Sequence, residues 1–285
     1  MSTIEILSPG IYTSVQDLGR KGFRKFGIPT SGAMDSFSAS FGNSLVGNEA
    51  NTPVLEITIN GPRLKFKANS ICVLVGGEIN ARIGKVLIKN NQVFAVNRDD
   101  ILELREIKTG CRSYLCIKDG FRVTSQFGSC SSSPNAQLGS TILRKGNVLH
   151  FEPHGSQFSS SNSRVKTQKS NFSSSIIDAQ PGPEFHLIPK GFLHSSFTVS
   201  KDSNRMGIRL AAEKQFEHTN SILTSAVMPG TVQLPPNGHP IVLMRDAQTT
   251  GGYPRILQLT EGGINIMAQK RPRDIIRFSI QENPC

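Results

Sequence analysis

Apolar and polar residues along this chain fall into short alternating or β-branched runs, each closed by Gly, Pro, Asn or Asp. Val54-Leu55-Glu56-Ile57-Thr58-Ile59 is one such run, ending at Asn60-Gly61-Pro62. Arg63-Leu64-Lys65-Phe66-Lys67 then alternates polar with apolar, as a half-buried strand does. Asn60-Gly61 between them predicts a hairpin turn, because glycine takes the positive φ that tight turns need. In the first half, further strands are predicted over 71–75, 81–83, 86–88, 93–96, 101–104 and 113–117. In the second half they are predicted over 185–188, 196–199, 207–210, 232–234, 241–244, 256–259, 264–268 and 275–280. A spacing of about 8–12 residues with turn chemistry between the runs predicts an all-β sandwich or barrel.

Helical patterning is confined to 36–46. Phe37, Phe41 and Leu45 recur every fourth residue and would line one face, and Gly47-Asn48 supplies a stop. Asp35 stands where a helix N-cap accepts hydrogen bonds from first-turn amides. The pattern breaks between 156 and 175, where nine of twenty residues are serine. Such a stretch has little apolar surface to bury. The expected organisation is therefore an N-terminal domain over 1–154, a Ser-rich loop or linker over 155–178, and a C-terminal domain over 179–285 whose strands can exchange with the first.

Composition changes this picture little. The 285 residues are 37% hydrophobic and 19% charged, an ordinary globular balance. The start carries Glu5 and polar residues where a secretion signal needs a basic, then apolar, stretch. No apolar run approaches the ~20 residues that span a bilayer. Five cysteines (Cys72, Cys111, Cys116, Cys130, Cys285) form no C-x-x-C pair, which favours reduced thiols in the cytoplasm and argues against a thiolate metal site. The net charge of +11 comes from scattered basic residues. No run has the ~5–6 like charges of a nucleic-acid arm. The expectation is neither nucleic-acid nor membrane binding, with the charge serving an anionic substrate or an acidic partner.

Standard nucleotide, zinc-protease and nucleophile-elbow motifs are missing. His150 and His154 are four apart, but Pro153 and Gly155 exclude the helix that would pair them as ligands, so no metal site is assigned. Three segments instead combine charged and hydroxyl or amide groups with glycines that let a backbone approach a ligand. They are Val15-Gln16-Asp17-Leu18-Gly19-Arg20 with Gly27 to Asp35, Asp202 to Leu210, and Asp246 to Arg255. Arginine's planar fork suits carboxylate or phosphate. The same residues also read as turns closed by Asp–Arg pairs.

These blocks carry a resemblance. Ser31-Gly32-Ala33-Met34-Asp35, Asp202-Ser203-Asn204-Arg205-Met206-Gly207, Pro229-Gly230-Thr231-Val232-Gln233-Leu234-Pro235 and Gln248-Thr249-Thr250-Gly251-Gly252-Tyr253-Pro254, in that order, resemble the family of 5-oxoprolinase C subunits. It is also called the biotin-dependent carboxyltransferase or allophanate-hydrolase-subunit-2-like family. The match runs over about 4–278; it is loose around Lys118-Asp119-Gly120-Phe121 and Gly128-Ser129-Cys130, and Arg273 stands where glycine is usual. The resemblance implies a mainly β chain of two cyclophilin-like β-barrel domains with one or two short helices. It implies a component of a complex with the A and B subunits of 5-oxoprolinase, inactive alone, in which ATP with Mg shared between subunits drives hydrolysis of 5-oxo-L-proline to L-glutamate. It leaves open two other roles. One is a biotin-dependent carboxyltransferase acting on urea or another amide; no Met-Lys occurs here, so biotin would arrive on another chain. The other is a regulatory binder of the B-type partner protein. Within this frame Asp35, Asp202 and Asp246 are the catalytic candidates. Arg20, Arg205, Arg209 and Arg255 are candidates for carboxylate or phosphoryl oxygens. Ser31, Gly32, Gln233, Gln248, Thr249, Thr250 and Tyr253 are candidates for contacts with a substrate ring.

Overall fold

The computed structural model describes residues 1–139, 142–155, 172–214 and 216–280. They form two compact units, Met1–Arg20 with Asp35–Ser170, and Lys21–Met34 with Asn171–Cys285. Residues 21–34, expected in the N-terminal domain, thus group with the second unit. Of the expected linker, 156–171 lie outside the described residues, and Ile176-Ile177-Asp178 already belong to a strand.

The first unit contains β1 (Ser2–Ser8), β2 (Tyr12–Gln16), α1 (Ser36–Leu45), β3 (Val54–Thr58), β4 (Arg63–Phe66), β5 (Ser70–Ile83), β6 (Val86–Ile88), β7 (Val93–Val96), β8 (Ile101–Ile117), β9 (Phe121–Arg122) and β10 (Val148–Phe151). They make one ten-stranded sheet along β2-β3-β8-β4-β1-β10-β9, with β5 joined to β8 and carrying β6 and β7. The 17-residue β8 is its spine. One edge of β8 pairs with β3 (Leu55↔Leu115) and, further along, with β4 (Leu64↔Leu102); the other edge pairs with β5 (Leu74↔Leu115, Ile83↔Leu102). The runs 71–75 and 81–83 are therefore one bulged strand, and 101–104 and 113–117 are another.

The hairpin expected at Asn60-Gly61 does not form. β3 and β4 do not pair with each other but lie end to end along β8, with Asn60 bridging Glu106. Ile59 takes the positive φ (63°), and Gly61 serves close approach: a Cβ there would sit 2.6 Å from the Leu104 Cβ. The core of this unit includes Ile4, Leu55, Leu64, Phe66, Leu115 and Phe151, all at 0% exposure.

Asp35 caps α1, its carboxylate accepting from the Ser38 amide at 3.0 Å and the Ser38 hydroxyl at 2.6 Å. The helix is turned against its pattern. Ser38, Ala39, Gly42 and Asn43 are buried, whereas Phe37 is 55% exposed and stacks on Phe41 with ring centres 6.3 Å apart. The reason is proximity to the sheet: a Cβ on Gly42 would lie 2.5 Å from the Cys116 Sγ and 2.7 Å from a Val75 methyl. Only small residues fit that face.

The second unit contains β11 (Ile176–Pro181), β12 (Phe197–Val199), β13 (Gly207–Ala212), β14 (Ser225–Ala226), β15 (Thr231–Gln233), β16 (Ile241–Leu243), β17 (Thr250–Gly251), β18 (Arg255–Leu259), α2 (Glu261–Ala268) and β19 (Ile275–Ile280). Seven strands close a barrel, β11-β18-β15-β16-β13-β12-β19, sealed by parallel pairing of β19 with β11 (Ile177↔Phe278). Phe192, Phe197, Phe216 and Phe278 fill it together with Met34 from the 21–34 segment. Two expected strands are something else. Residues 264–268 lie in α2, whose first turn is capped by the Thr260 hydroxyl accepting from the Gly263 amide at 3.0 Å. Its buried positions are Gly263, Ile264, Met267 and Ala268, and the last three recur at i, i+3 and i+4, a helical rather than an alternating period. Phe185–Leu187 form a 3₁₀ turn. The expectation of a mainly β chain with short helices holds. Among the described residues no helix is long and apolar enough to cross a membrane.

Candidate functional site

Two of the candidates lie in the first unit, and both are engaged in holding the fold. Arg20 is 1% exposed; its Nη2 donates to the Ser131 carbonyl at 2.5 Å and its Nε to the Gln126 carbonyl at 3.2 Å. Neighbouring Asp17 completes this tether: its carboxylate accepts from Gly19 N, Cys130 N and the hydroxyls of Ser129 and Ser131, at 2.5–2.8 Å. Asp35, the expected catalytic carboxylate, is 1% exposed and occupied as the α1 cap. Its amide donates to the Tyr114 hydroxyl, which itself donates to the buried Glu56 carboxylate at 2.9 Å. Burial, reinforced by the Glu56 charge, pushes the Tyr114 phenol well above its ordinary value, so it stays protonated and donating.

The second unit gathers candidates from all three polar blocks. Arg205 forks onto Asp246, with Nε to Oδ2 at 2.8 Å and Nη2 to Oδ1 at 3.1 Å, and Nη2 also donates to the Gly32 carbonyl at 2.7 Å. Ser31, beside Gly32, has a left-handed backbone (φ 56°), its amide donates to the Arg245 carbonyl, and its buried hydroxyl has no hydrogen-bond partner among the described residues. Ser31, Gly32, Arg205 and Asp246 therefore form one buried cluster. The Asp–Arg pairing foreseen as the structural alternative is what Arg205 and Asp246 do.

Arg255 behaves likewise. It forks onto Glu184 at 2.8 and 2.7 Å and donates to the Ala226 carbonyl at 2.9 Å. The hydrogen bond with Arg255 holds the Glu184 carboxyl below its usual range and raises Arg255 in turn. Gln233 is buried, reaching the Tyr253 carbonyl at 3.4 Å. Asp202 is an exposed turn residue whose carboxylate has no bond among the described residues. Gln248 and Thr250 are exposed, and Thr249 contributes its carbonyl to the Val227 amide.

Arg209 and Tyr253 are brought together in the open. They line a cleft of about 370 Å³ with Ser200, Pro235, Asn237 and His239. Register places Arg209 on β13 opposite Ile241 of β16, where strand alternation turns it outward. Its guanidinium makes no hydrogen bond or ion pair among the described residues, unlike those of Arg205 and Arg255. The buried Nδ1 of His239 also has no hydrogen-bond partner among the described residues. Such a wall can take a small anion: a guanidinium for a carboxylate or phosphate, and phenol, amide and imidazole for neighbouring polar atoms. Arg209 and Tyr253 are among the residues singled out from the sequence; His239, Asn237 and Ser200, which share the cleft wall, are not. The Pro235-Pro236-Asn237-Gly238-His239 turn was the available signal.

A chain with a closed seven-stranded β-barrel unit and a ten-stranded β unit has the mainly β architecture of carboxyltransferase domains. The family model for the carboxyltransferase domain, subdomain A and B, matches residues 26–280, and the chain belongs to that family. It is similar to the C subunit of 5-oxoprolinase from Escherichia coli strain K12, with 36% identity over 98% of this chain and 92% of that protein. The corresponding protein of Haemophilus influenzae is 31% identical over the same shares. The urea amidolyase of Saccharomyces cerevisiae is 27% identical over 97% of this chain, which spans 16% of that enzyme. Among solved structures, TTHA0988 superimposes with a TM-score of 0.87 at 28% identity, covering 98% of this chain and 56% of its own. The K. lactis urea amidolyase gives a TM-score of 0.86 at 29% identity, with 98% of this chain matched and 19% of the enzyme.

Proposed function

We propose that this chain is the C subunit of an ATP-dependent 5-oxoprolinase that opens 5-oxo-L-proline to L-glutamate together with A- and B-type partner subunits. The observation that carries the reading is the Arg209 guanidinium, unpaired among the described residues, beside Tyr253 in the barrel cleft, in a chain related over nearly its whole length to proteins named as the C subunit of 5-oxoprolinase. The substrate joins a carboxylate to a five-membered lactam. Arg209 takes the carboxylate, and Tyr253, Asn237 and His239 surround the ring's N–H and C=O. A lactam is a stable amide, so ring opening needs activation. Transfer of a phosphoryl group from ATP to the lactam oxygen, releasing ADP, makes the carbon an electrophile for water. The C–N bond then breaks, its electron pair and a proton going to the nitrogen, and the γ-glutamyl phosphate left is hydrolysed by a second water to glutamate and phosphate. Positioning is the work this chain contributes. The buried Arg205–Asp246 pair supports the cleft-bearing barrel rather than touching substrate.

Reconstitution with A- and B-type partners tests this: glutamate release should require 5-oxoproline, ATP and all three chains. Arg209→Gln should raise KM about tenfold or more, the worth of one charge-assisted contact. Full turnover by the isolated chain, or an unchanged KM in Arg209→Gln, defeats the reading. The relation to urea amidolyases supports a second reading, carboxyl transfer from a biotin-bearing partner to urea or another amide. Dependence on a biotinylated chain, with no ATP-dependent glutamate release, would decide for it.

A further inference from the structure

A second cleft, of about 390 Å³, lies in the first unit, lined by Ser8, Asn60, Gly61, Arg63, Glu103, Leu104 and Arg105. Register puts Glu103 of β8 directly between Arg63 of β4 and Arg82 of β5, with Arg105 two residues along the same face of β8. All three guanidiniums turn to the one carboxylate, Arg82 at 2.7 Å, Arg105 at 3.1 Å and Arg63 at 3.5 Å. The cluster is thus three positive charges on one negative, a surplus of two. Each guanidinium carries five N–H donors, and one carboxylate occupies few of them. The arginine side chains are 40–59% exposed, so the remaining donors face the solvent. The side chains of Ser8 and Asn60 on the rim make no hydrogen bond among the described residues.

A cluster built only to brace the sheet would balance its charges, as Lys65 with Asp99 and Lys67 with Glu5 do on the neighbouring surface. Surplus forked donors in a concave site match an anion with several negative charges and several acceptor oxygens. The lining offers no aromatic face for a base, so recognition centres on the charged chain itself. We propose that this cleft binds a phosphate chain, a di- or triphosphate free or carried by a nucleotide, held by Arg63 and Arg105 of its wall, with Arg82 adding charge through the shared Glu103 and with Ser8 and Asn60 at its edge. The proposal stands apart from the cleft on the barrel and does not need the proposed activity.

Isothermal titration of the full-length chain with tripolyphosphate, ATP and AMP tests it. Tripolyphosphate and ATP should bind alike, AMP more weakly, and affinity should fall as salt rises. Arg63→Gln with Arg105→Gln should weaken tripolyphosphate about tenfold or more. Glu103→Gln, which removes the competing carboxylate, should tighten it. That gain is what a purely structural ion cluster cannot produce. Should the double variant fail to fold, Arg105→Gln, whose side chain is 59% exposed, carries the test alone. Equal affinity in wild type and the arginine variants, AMP binding as tightly as tripolyphosphate, weaker binding by Glu103→Gln, or loss of binding on Arg209→Gln instead would each overturn the proposal.

Discussion

Asp17 shows how much one side chain can hold. Its two oxygens satisfy two amides and two serine hydroxyls, tying the turn after β2 to a loop more than a hundred residues away. Asp17→Ala strands those donors in a buried setting and should cost about 3 kcal/mol in urea unfolding, in line with the penalty for orphaned polar groups. Glu184 makes a different prediction. Because Arg255 holds its carboxyl below the ordinary ~4.3, the ionised form favours the folded state. That stabilisation is complete above the ordinary value and disappears as pH falls through the lowered one. Thermal melts of wild type and Glu184→Gln should therefore differ at pH 7 and converge toward pH 3. At this scale the sequence displayed residue types but not their partners. Arg20 and Asp17 looked like ligand groups because Ser129, Ser131 and Gln126, which engage them, are distant in the chain. Arg209 was legible for the opposite reason, since alternation along a strand suffices to turn it outward.

Among the elements, α1 carries the sharpest departure from pattern. Its apolar fourfold repeat announced the helix and its Asp35 cap correctly but named the wrong buried face. Distance to the sheet decides burial here, and hydropathy does not. Gly42→Ala should destabilise by about 1–3 kcal/mol through overpacking against Cys116 and Val75. Phe37→Ser, although it deletes a ring, should stay within about 0.5 kcal/mol. Chemical denaturation of the two variants checks both, and the reverse order would mean that the helix packs by its aromatic face. β8 and α2 make the related point that short windows misjudge length and period. A 17-residue strand looked like two because Arg105, Glu106, Lys108, Thr109 and Arg112 interrupt its apolar run, where β5 opposite is bulged.

At the scale of the molecule, the mainly β architecture was readable from turn spacing, but the chain's division was not, because composition marks only the serine-rich stretch. Residues 21–34 belong with the second unit, supplying Met34 to the barrel core and the Gly32 carbonyl to Arg205. A fragment starting at 172 should therefore lack a cooperative melt, and fusing 21–34 to it should restore one, as read by circular dichroism. Of the scattered basic residues, Arg63 and Arg105 line a cleft in the first unit and Arg209 lines one in the second, a placement the total of +11 could not reveal.

The barrel's seam has a temporal consequence. β19 is the last described strand, and it pairs on one side with β11, about a hundred residues earlier, and on the other with β12. During synthesis the barrel stays open until β19 has left the ribosome, so its apolar interior waits exposed while the hundred or so residues from β11 to β19 are made. Such distant closure belongs to the slow, millisecond-to-second class of folding reactions. β19 thus sets the moment at which the barrel's phenylalanines first become dry.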